Sequence, residues 1–539
     1  MLLPIFGTTA IVLALIGWLQ HGEGIGDAIF KTLGVLSAGG TYGQSSDWPG
    51  NWWIAVARWF GFVFFLMTAK KAFGLVLSNQ LADMSAQWRS HDVVLIGDHP
   101  AFHEIAAIVS KHKSLLWVAT AAVMRRKTLT MISRRWSDAL ISNFALTRAD
   151  FVVIGYQDDD MQAVAVAKAF ASQPPPGELM LLSSQLGAHE GLQSMDMLRG
   201  VRLVSPEKAL ARSLHETFPP YRIARESGQA RIHALFIGCG EMGEQILRDL
   251  VLSSLTTFLG KPRATIVDPN AEEIVASLKV RAPEIELSVD IAALKTVGGS
   301  DPRALAIEKL DAASEATPFT LAYVCLRDDS AAMGAALALE RLSAREGWGI
   351  NRIFVRQRSS HVEFGAATAG QLGILVPFGT PEQLAIGIGL LRDSTNQVAR
   401  ALHEGYCRFA PGEAVSSQGW DDLSEDMRDA NRALLMHLPA KLASAGIDSE
   451  PLSAALPKFG ESLKDTALLE RLAESEHERW MAQRRLSGWR YAPQRDNTRR
   501  FHPDLIPYPA LSEPAKEKDR QMIRSLAQVL AAGAISEHP

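Results

Sequence analysis

The sequence predicts a membrane-inserted helical head, then two doubly wound parallel α/β sheets in tandem, then a small, mainly helical module. Three observations predict it. Two apolar runs of 18 residues, Leu2–Leu19 and Trp52–Ala69, stand at the front. A strand–loop–helix alternation begins at Asp92 and begins again at Ile232. A dense Arg- and Trp-rich stretch occupies residues 471–525. The composition agrees: 539 residues correspond to roughly three or four domains, and 47% hydrophobic with 21% charged residues allows sizeable cores. Lys+Arg number 55 against 59 Asp+Glu, a net charge of −4, so no global basic excess points to nucleic acid. Cys239, Cys325 and Cys407 are scattered and odd in number. That excludes a disulfide scaffold and a Cys-rich metal site, and fits a reducing compartment.

The head (residues 1–77) is justified by length and flanks. An 18-residue helix rises roughly 27 Å, about one hydrocarbon core. The first run carries no charge and the second only Arg58, which snorkels near the helix start. Trp18 closes the first run, and Trp48, Trp52 and Trp53 open the second, as an aromatic belt at one interface predicts. Lys70 and Lys71 follow the second run, whereas the connection at 20–51 holds Glu23, Asp27 and Asp47 against Lys31. The positive-inside rule then puts the bulk of the chain in the cytoplasm, as expected for a multi-pass inner-membrane protein. A cleaved signal peptide is a competing reading, without a basic n-region or a clear cleavage site to support it. Two plain anchoring helices are another. The connection itself argues for more. Asp27 can N-cap a short helix over Ala28–Ser37, followed by Gly39, Gly40, Thr41, Tyr42 and Gly43. Glycines let backbone carbonyls line a pore, and irregular backbone at membrane depth is tolerated where it lines such a cavity.

This plan resembles the two-transmembrane potassium-channel pore. The resemblance implies a filter at Gly39–Gly43, a gating hinge at Gly61, a permeating cation, and assembly around a shared pore as a homotetramer. The family's filter reads Thr-Val-Gly-Tyr-Gly where this chain has Gly-Gly-Thr-Tyr-Gly, so a pore follows more directly than potassium selectivity.

A helical linker is expected over 78–91, a first α/β domain over 92–228 and a second over 229–405. Strand candidates in the first are 93–97, 114–119, 150–155, 178–183 and 201–204. In the second they are 233–237, 264–267, 286–288, 319–325, 352–356 and 373–377, with helices at 242–254 and 330–345. Buried strands alternating with helices mean a parallel sheet. The two copies repeat at about 140 residues. The second carries Gly238-Cys-Gly240-Glu241-Met242-Gly243 between a strand and a helix, the dinucleotide fingerprint of Rossmann folds. Asp268 ends the next strand, where a ribose-binding acid belongs, and Arg327 and Asp328 follow a later strand to line the crevice. A folding-only use of this turn is the competing reading. The first copy reads Gly97-Asp-His-Pro-Ala-Phe102, and its second strand ends at Thr120 without an acid, so no nucleotide is assigned to it. No catalytic set accompanies the glycines, and the chain is not expected to be an enzyme. The tandem sheets resemble the potassium-conductance regulator (RCK) domains of gated channels. That resemblance implies sensing of NAD(H) or another adenine nucleotide, with no metal cofactor.

After a helical connector at 406–465, residues 466–530 read Leu472-Ala-Glu474-Ser-Glu476-His477-Glu-Arg479-Trp480, then Gly488-Trp489-Arg490-Tyr491, then His502-Pro503, Tyr508 and Lys516–Arg520; a short tail, 531–539, follows. This stretch strongly resembles the RyR domain of ryanodine receptors and bacterial proteins, with Ala492 where a glycine is usual. Between Arg479 and Arg500 lie seven Arg and one acid, with Trp480, Trp489 and Tyr491 interleaved. Arg forks bind phosphate, and aromatic faces stack on bases. Trp480, Arg484, Trp489, Arg490, Tyr491, Arg495, His502 and Tyr508 are the expected pocket for a small anionic, nucleotide-like ligand. A structural core for the tryptophans, and pairing of the arginines with Glu474, Glu476 and Glu478, is the competing reading. Taken together, the sequence favours a ligand-gated channel subunit. A membrane-permeabilising effector of defence or stress and a membrane-tethered NAD(P)-dependent oxidoreductase are the alternatives.

Overall fold

The computed structural model describes residues 2–36, 52–119, 130–133, 136–157, 159–170, 173–183, 200–296, 307–358, 373–391, 395–409, 418–423, 425–447 and 452–531. The chain divides into two compact units, Met1–Arg89 with Thr130–Ser133, and Ser90–Leu129 with Arg134–Pro539.

The first unit holds helices Leu2–Gln20, Ile25–Leu36 and Trp52–Trp88, and the strand that is β3 in chain order, Thr130–Ser133. The helices meet along a seam of three alanines and two bulky residues: Ala14, Trp18, Ala28, Ile54 and Ala57. Small residues let helix backbones approach closely. A Cβ at Gly7 would lie 2.9 Å from the Phe64 ring. Val12, Trp59, Phe62 and Leu66 of these helices are exposed. Among the described residues one helix, Trp52–Lys71, is long and apolar enough to cross a membrane; the apolar Phe6–Gln20 segment is shorter. Gly61 is buried within an unbroken helix that continues past Lys70 and Lys71 to Trp88. Asp27 does not cap the second helix but lies inside its first turn, where its charge still complements the helix dipole. Gly39, Gly40, Thr41, Tyr42 and Gly43 lie outside the described residues.

The second unit holds two parallel sheets. In the first, β1 (Val93–Ile96), β2 (Leu115–Ala119), β4 (Phe151–Ile154), β5 (Glu178–Leu182) and β6 (Val201–Val204) run in the order β2-β1-β4-β5-β6. The second comprises β7 (Arg231–Ile237), β8 (Gly260–Asp268), β9 (Asp290–Lys295), β10 (Leu321–Val324), β11 (Ile353–Arg356) and β12 (Leu375–Phe378), ordered β12-β11-β10-β7-β8-β9. Counted within the copy this is the 3-2-1-4-5-6 order of Rossmann folds, with its switch point between β7 and β10. The expected strand at 286–288 is instead a 3₁₀ turn, Ile285–Leu287, and the strand starts at Asp290.

One face of the second sheet packs Leu235, Ile237, Val324 and Val355 against helix Asp329–Glu346 through Ala332, Ala336 and Leu339. The other face carries Phe236, Tyr323 and Phe354 in ring contact. Helix Pro206–Thr217 covers that face: His215 Nε2 lies 2.7 Å from the Tyr323 hydroxyl, and His215 Nδ1 lies 2.6 Å from Asp249 of helix Glu241–Ser253. Helices from Thr395 to Ala531 then share one core of Val398, Leu402, Leu434, Phe459, Leu472 and Ile523. The described part of 406–465 therefore packs as one body with the C-terminal module.

Candidate nucleotide site and C-terminal module

Each glycine of the fingerprint has a separate job. Gly238 follows β7 with φ +78°, and a Cβ there would meet Leu326 at 2.8 Å; both the turn and the close approach to the β10 end require glycine. Gly240 caps helix Glu241–Ser253, and a Cβ on it would meet nothing within 4 Å. Its backbone faces open space, as close approach of a pyrophosphate needs. A Cβ on Gly243 would lie 2.9 Å from the Gly238 carbonyl, so this glycine sets the helix–strand packing. Glu241 is exposed in the first turn, and Met242 is buried.

Asp268 ends β8 beside this loop. Its Oδ2 accepts the Cys239 N–H at 3.0 Å and its Oδ1 accepts the Asn270 N–H at 2.9 Å. The carboxylate thus braces the loop backbone at both ends. Asp328 is a helix cap, with its Oδ1 accepting the Ala331 N–H at 2.7 Å at the start of helix Asp329–Glu346. Arg327 beside it is exposed. Asp329 ties the ends of β10 and β11 together by accepting the Arg358 N–H at 3.0 and 3.1 Å. Among the described residues no group of three His, Cys, Asp or Glu is placed to hold a metal ion.

The first sheet closes the corresponding place with side chains. Gly97 has φ +115°, and a Cβ there would run into the Gly155 carbonyl. His99 is buried, donates its backbone N–H to Gly155 O at 3.2 Å and packs its ring on Phe102. Burial drives the His99 ring down to about 4, so it is neutral at physiological pH.

In the C-terminal module the expected pocket residues separate into three groups. Trp480, Trp489, His502 and Arg484 stand together. His502 meets Trp480 at 4.9 Å and Trp489 at 6.2 Å, and the Arg484 guanidinium lies 6.0 and 5.0 Å from the two indole centroids. Trp489 is buried with Met481 and Leu505. Arg484 therefore covers the ring faces that a ligand base would stack on. Arg490, Tyr491 and Arg495 form an exposed edge, with Arg495 bonded to Asn497 at 2.9 Å. Tyr508 is buried apart with Ala473 and Leu511, and its hydroxyl donates to Glu470 at 3.1 Å. His477 links the groups by stacking on Trp480 at 5.5 Å and facing Tyr508 at 5.9 Å.

The glycine-loop helix also bears on this module. Glu244, one residue past Gly243, receives Arg281 at 2.7 and 2.6 Å and Arg248 at 2.9 Å. Arg248 Nη1 donates to Leu486 O at 3.1 Å, at the end of helix Thr466–Leu486. Gly488, with φ +78°, sits so that a Cβ would be 2.9 Å from Arg281 O. The sequence gives one cue to this joint: an acid just inside a fingerprint helix with an Arg at i+4. Its long-range partner Arg281 carries no such signal. A separate cleft of ≈ 260 Å³, lined by Arg222, Ser227, Asn351 and Arg352 among others, lies at the amino end of β11.

Comparison with solved structures finds partial likenesses to GsuK. The structure titled GsuK bound to ADP matches at 14% identity and TM-score 0.35, over 72% of this chain and 95% of that one. The GsuK channel structure matches at 14% identity and TM-score 0.36, over 72% of this chain and 82% of that one. Residues 460–536 match the family model of the RyR domain.

Proposed function

We propose that this chain is a subunit of a ligand-gated cation channel whose cytoplasmic part senses an adenine nucleotide, NAD(H) or a relative of it. The observation that carries the reading is the glycine loop at the switch point of the second sheet. Its exposed backbone at Gly240 and its bracing acid Asp268 suit a bound phosphate and ribose. The helix that starts there is tied through Glu244 and Arg248 to the RyR module, which gives a ligand a route to the rest of the molecule. The apolar Trp52–Lys71 span and the exposed apolar side chains of the first unit support insertion in a membrane; in this reading the membrane is the inner one and the chain assembles around a shared pore as a homotetramer. In this reading the chain is not an enzyme, the nucleotide is a regulator, and no nucleic acid is bound.

Planar-bilayer recording of the purified full chain, with and without ATP, ADP, NAD or NADH, tests it. A nucleotide-dependent conductance is expected. Nucleotide binding without conductance overturns the channel and keeps the sensor. A second reading, an effector that permeabilises the membrane on a nucleotide signal, is favoured by the departure of Gly39-Gly-Thr-Tyr-Gly43 from the potassium filter. Weak discrimination among cations separates it from a homeostatic channel.

A further inference from the structure

We propose that Arg356 anchors a second anionic group of the ligand, distal to the phosphate at the Gly238–Gly243 loop. The ligand class is then a nucleoside polyphosphate or dinucleotide rather than a nucleoside monophosphate. This rests on the nucleotide-sensor reading above.

Arg356 closes β11 after three buried apolar residues. Strand alternation puts it on the face of Phe354, the face covered by helices Pro206–Thr217 and Glu241–Ser253. Its place is the carboxyl edge of the sheet, one strand beyond the switch point between β7 and β10, on the edge where ligands of doubly wound folds bind. The side chain is 9% exposed, and neither Nε nor Nη1 has a hydrogen-bond partner. A buried guanidinium with unmade bonds is costly, so such a group calls for a partner. Gly379, at φ +94°, makes room for it: a Cβ there would collide with Nη1.

The charged groups facing it are Glu207, Asp329 and Arg358; the neighbouring Cys325 thiol is pushed up to about 12 by burial and is neutral. Glu207 stands in the first turn of helix Pro206–Thr217 and is within electrostatic reach of Glu241 in the first turn of the fingerprint helix. Two helix N-termini therefore converge here with the guanidinium, and the positive ends of both dipoles favour an added anion. Glu207 is a poor substitute for that anion: burial pushes its carboxyl up, and its Oε2 already accepts the Ser205 hydroxyl at 3.2 Å.

The test is equilibrium binding of AMP, ADP, ATP and NAD to the full chain in detergent, for the parent protein and Arg356→Gln. The parent is expected to bind ADP more tightly than AMP. Arg356→Gln should lower ADP affinity by about 10- to 100-fold, the scale of a charge-assisted bond, and leave AMP within about twofold. Arg356→Lys should keep part of the preference, having the charge without the fork. A preference for ADP that survives Arg356→Gln overturns the proposal and leaves the sensor reading intact. Failure of the parent to bind any of the four overturns both. Where Arg356→Gln does not fold, Glu207→Gln with Arg356→Gln removes both charges; a folded double variant that keeps the ADP preference makes Arg356 a structural partner of Glu207 and overturns the proposal.

Discussion

Glu476→Gln tests the packing of the C-terminal module most sharply. Glu476 is 3% exposed on helix Thr466–Leu486 and holds two buried cations. Arg479 donates Nε to its Oε2 at 3.0 Å and Nη2 to its Oε1 at 2.8 Å, and Lys441 Nζ lies 2.8 Å from its Oε2. Burial pushes the carboxyl up, but Arg479 and Lys441 together outweigh it and hold it at about 2. A carboxyl held at about 2 rather than 4.5 is worth about 3 kcal/mol to the ionised folded form. Removing one partner of a buried pair costs about 3–5 kcal/mol by a separate route. The folded value is depressed, so this stability is complete above about pH 4.5 and is lost as the pH falls toward about 2. The assay is hydrogen exchange of the full chain at neutral pH, read on peptides from 466–486. A loss of about 3 kcal/mol speeds exchange roughly 150-fold there. Acceleration below about tenfold refutes the reasoning. The triple change Glu476→Leu, Lys441→Met, Arg479→Met should recover most of the protection, because the desolvation penalty leaves with the charges.

Further predictions follow from the loop and the joint. Gly240→Ala should leave the thermal midpoint unchanged and weaken nucleotide binding about tenfold or more, since its Cβ meets only open space. Gly243→Ala should instead destabilise by about 1–3 kcal/mol, because its Cβ would lie 2.9 Å from Gly238 O; a scanning calorimetry trace separates the two. Gly488→Ala, at φ +78° and 2.9 Å from Arg281 O, should cost about 1–3 kcal/mol and raise protease access to the RyR module. His477 faces Asp519 through Nδ1 at 3.2 Å and Ile506 O through Nε2 at 2.8 Å, two oxygen acceptors that favour the protonated ring. Burial opposes the charge, and Asp519 with the Ile506 carbonyl outweighs it, raising the ring's value. Its contribution is complete below about pH 6.5 and fades as the pH rises through the folded value. Asp519→Asn should abolish that pH dependence in NMR or exchange data.

Much of this was legible because glycine and apolar periodicity speak locally. Gly238, Gly240 and Gly243 follow a buried strand and open a helix, and their separate steric jobs match the spacing that marks the motif. The strand at 286–288 was not legible, since a short apolar–acidic run fits a 3₁₀ turn as well as a strand. The capping role of Asp328, expected to line the crevice, was not read from the sequence, because a charge after a strand is also the residue before the next helix. Pairing of the arginines with Glu474, Glu476 and Glu478 was legible, and Arg479 does pair with Glu476; the third member, Lys441, comes from 35 residues earlier in the chain and carries no local signal. The arginine-rich pocket divided for a similar reason. Arg484 stacks on the two tryptophans, whereas Arg490 and Arg495 stay on an exposed edge.

The helix Glu241–Ser253 is where a ligand signal would enter the packing. Its first turn carries the glycine loop and Glu244, its middle carries Asp249 against His215, and Arg248 reaches the end of the RyR helix. A phosphate at its N-terminus adds negative charge within a turn of Glu241 and Glu244, which competes with Glu244 for the field of Arg248 and Arg281. The same phosphate is stabilised by the helix dipole and the exposed amides. On the proposed sensor reading, binding would strengthen one end of the helix while loading its fork to Arg281, and the two effects would have opposite sign at the RyR joint. A ligand shifts the molecule only by its differential affinity for two arrangements. Glu244→Gln separates the terms: it leaves the loop amides in place and removes the fork. Nucleotide binding that persists in Glu244→Gln, with ligand-induced exchange changes in 466–486 abolished, assigns the coupling to the fork; changes that persist assign it to movement of the whole helix.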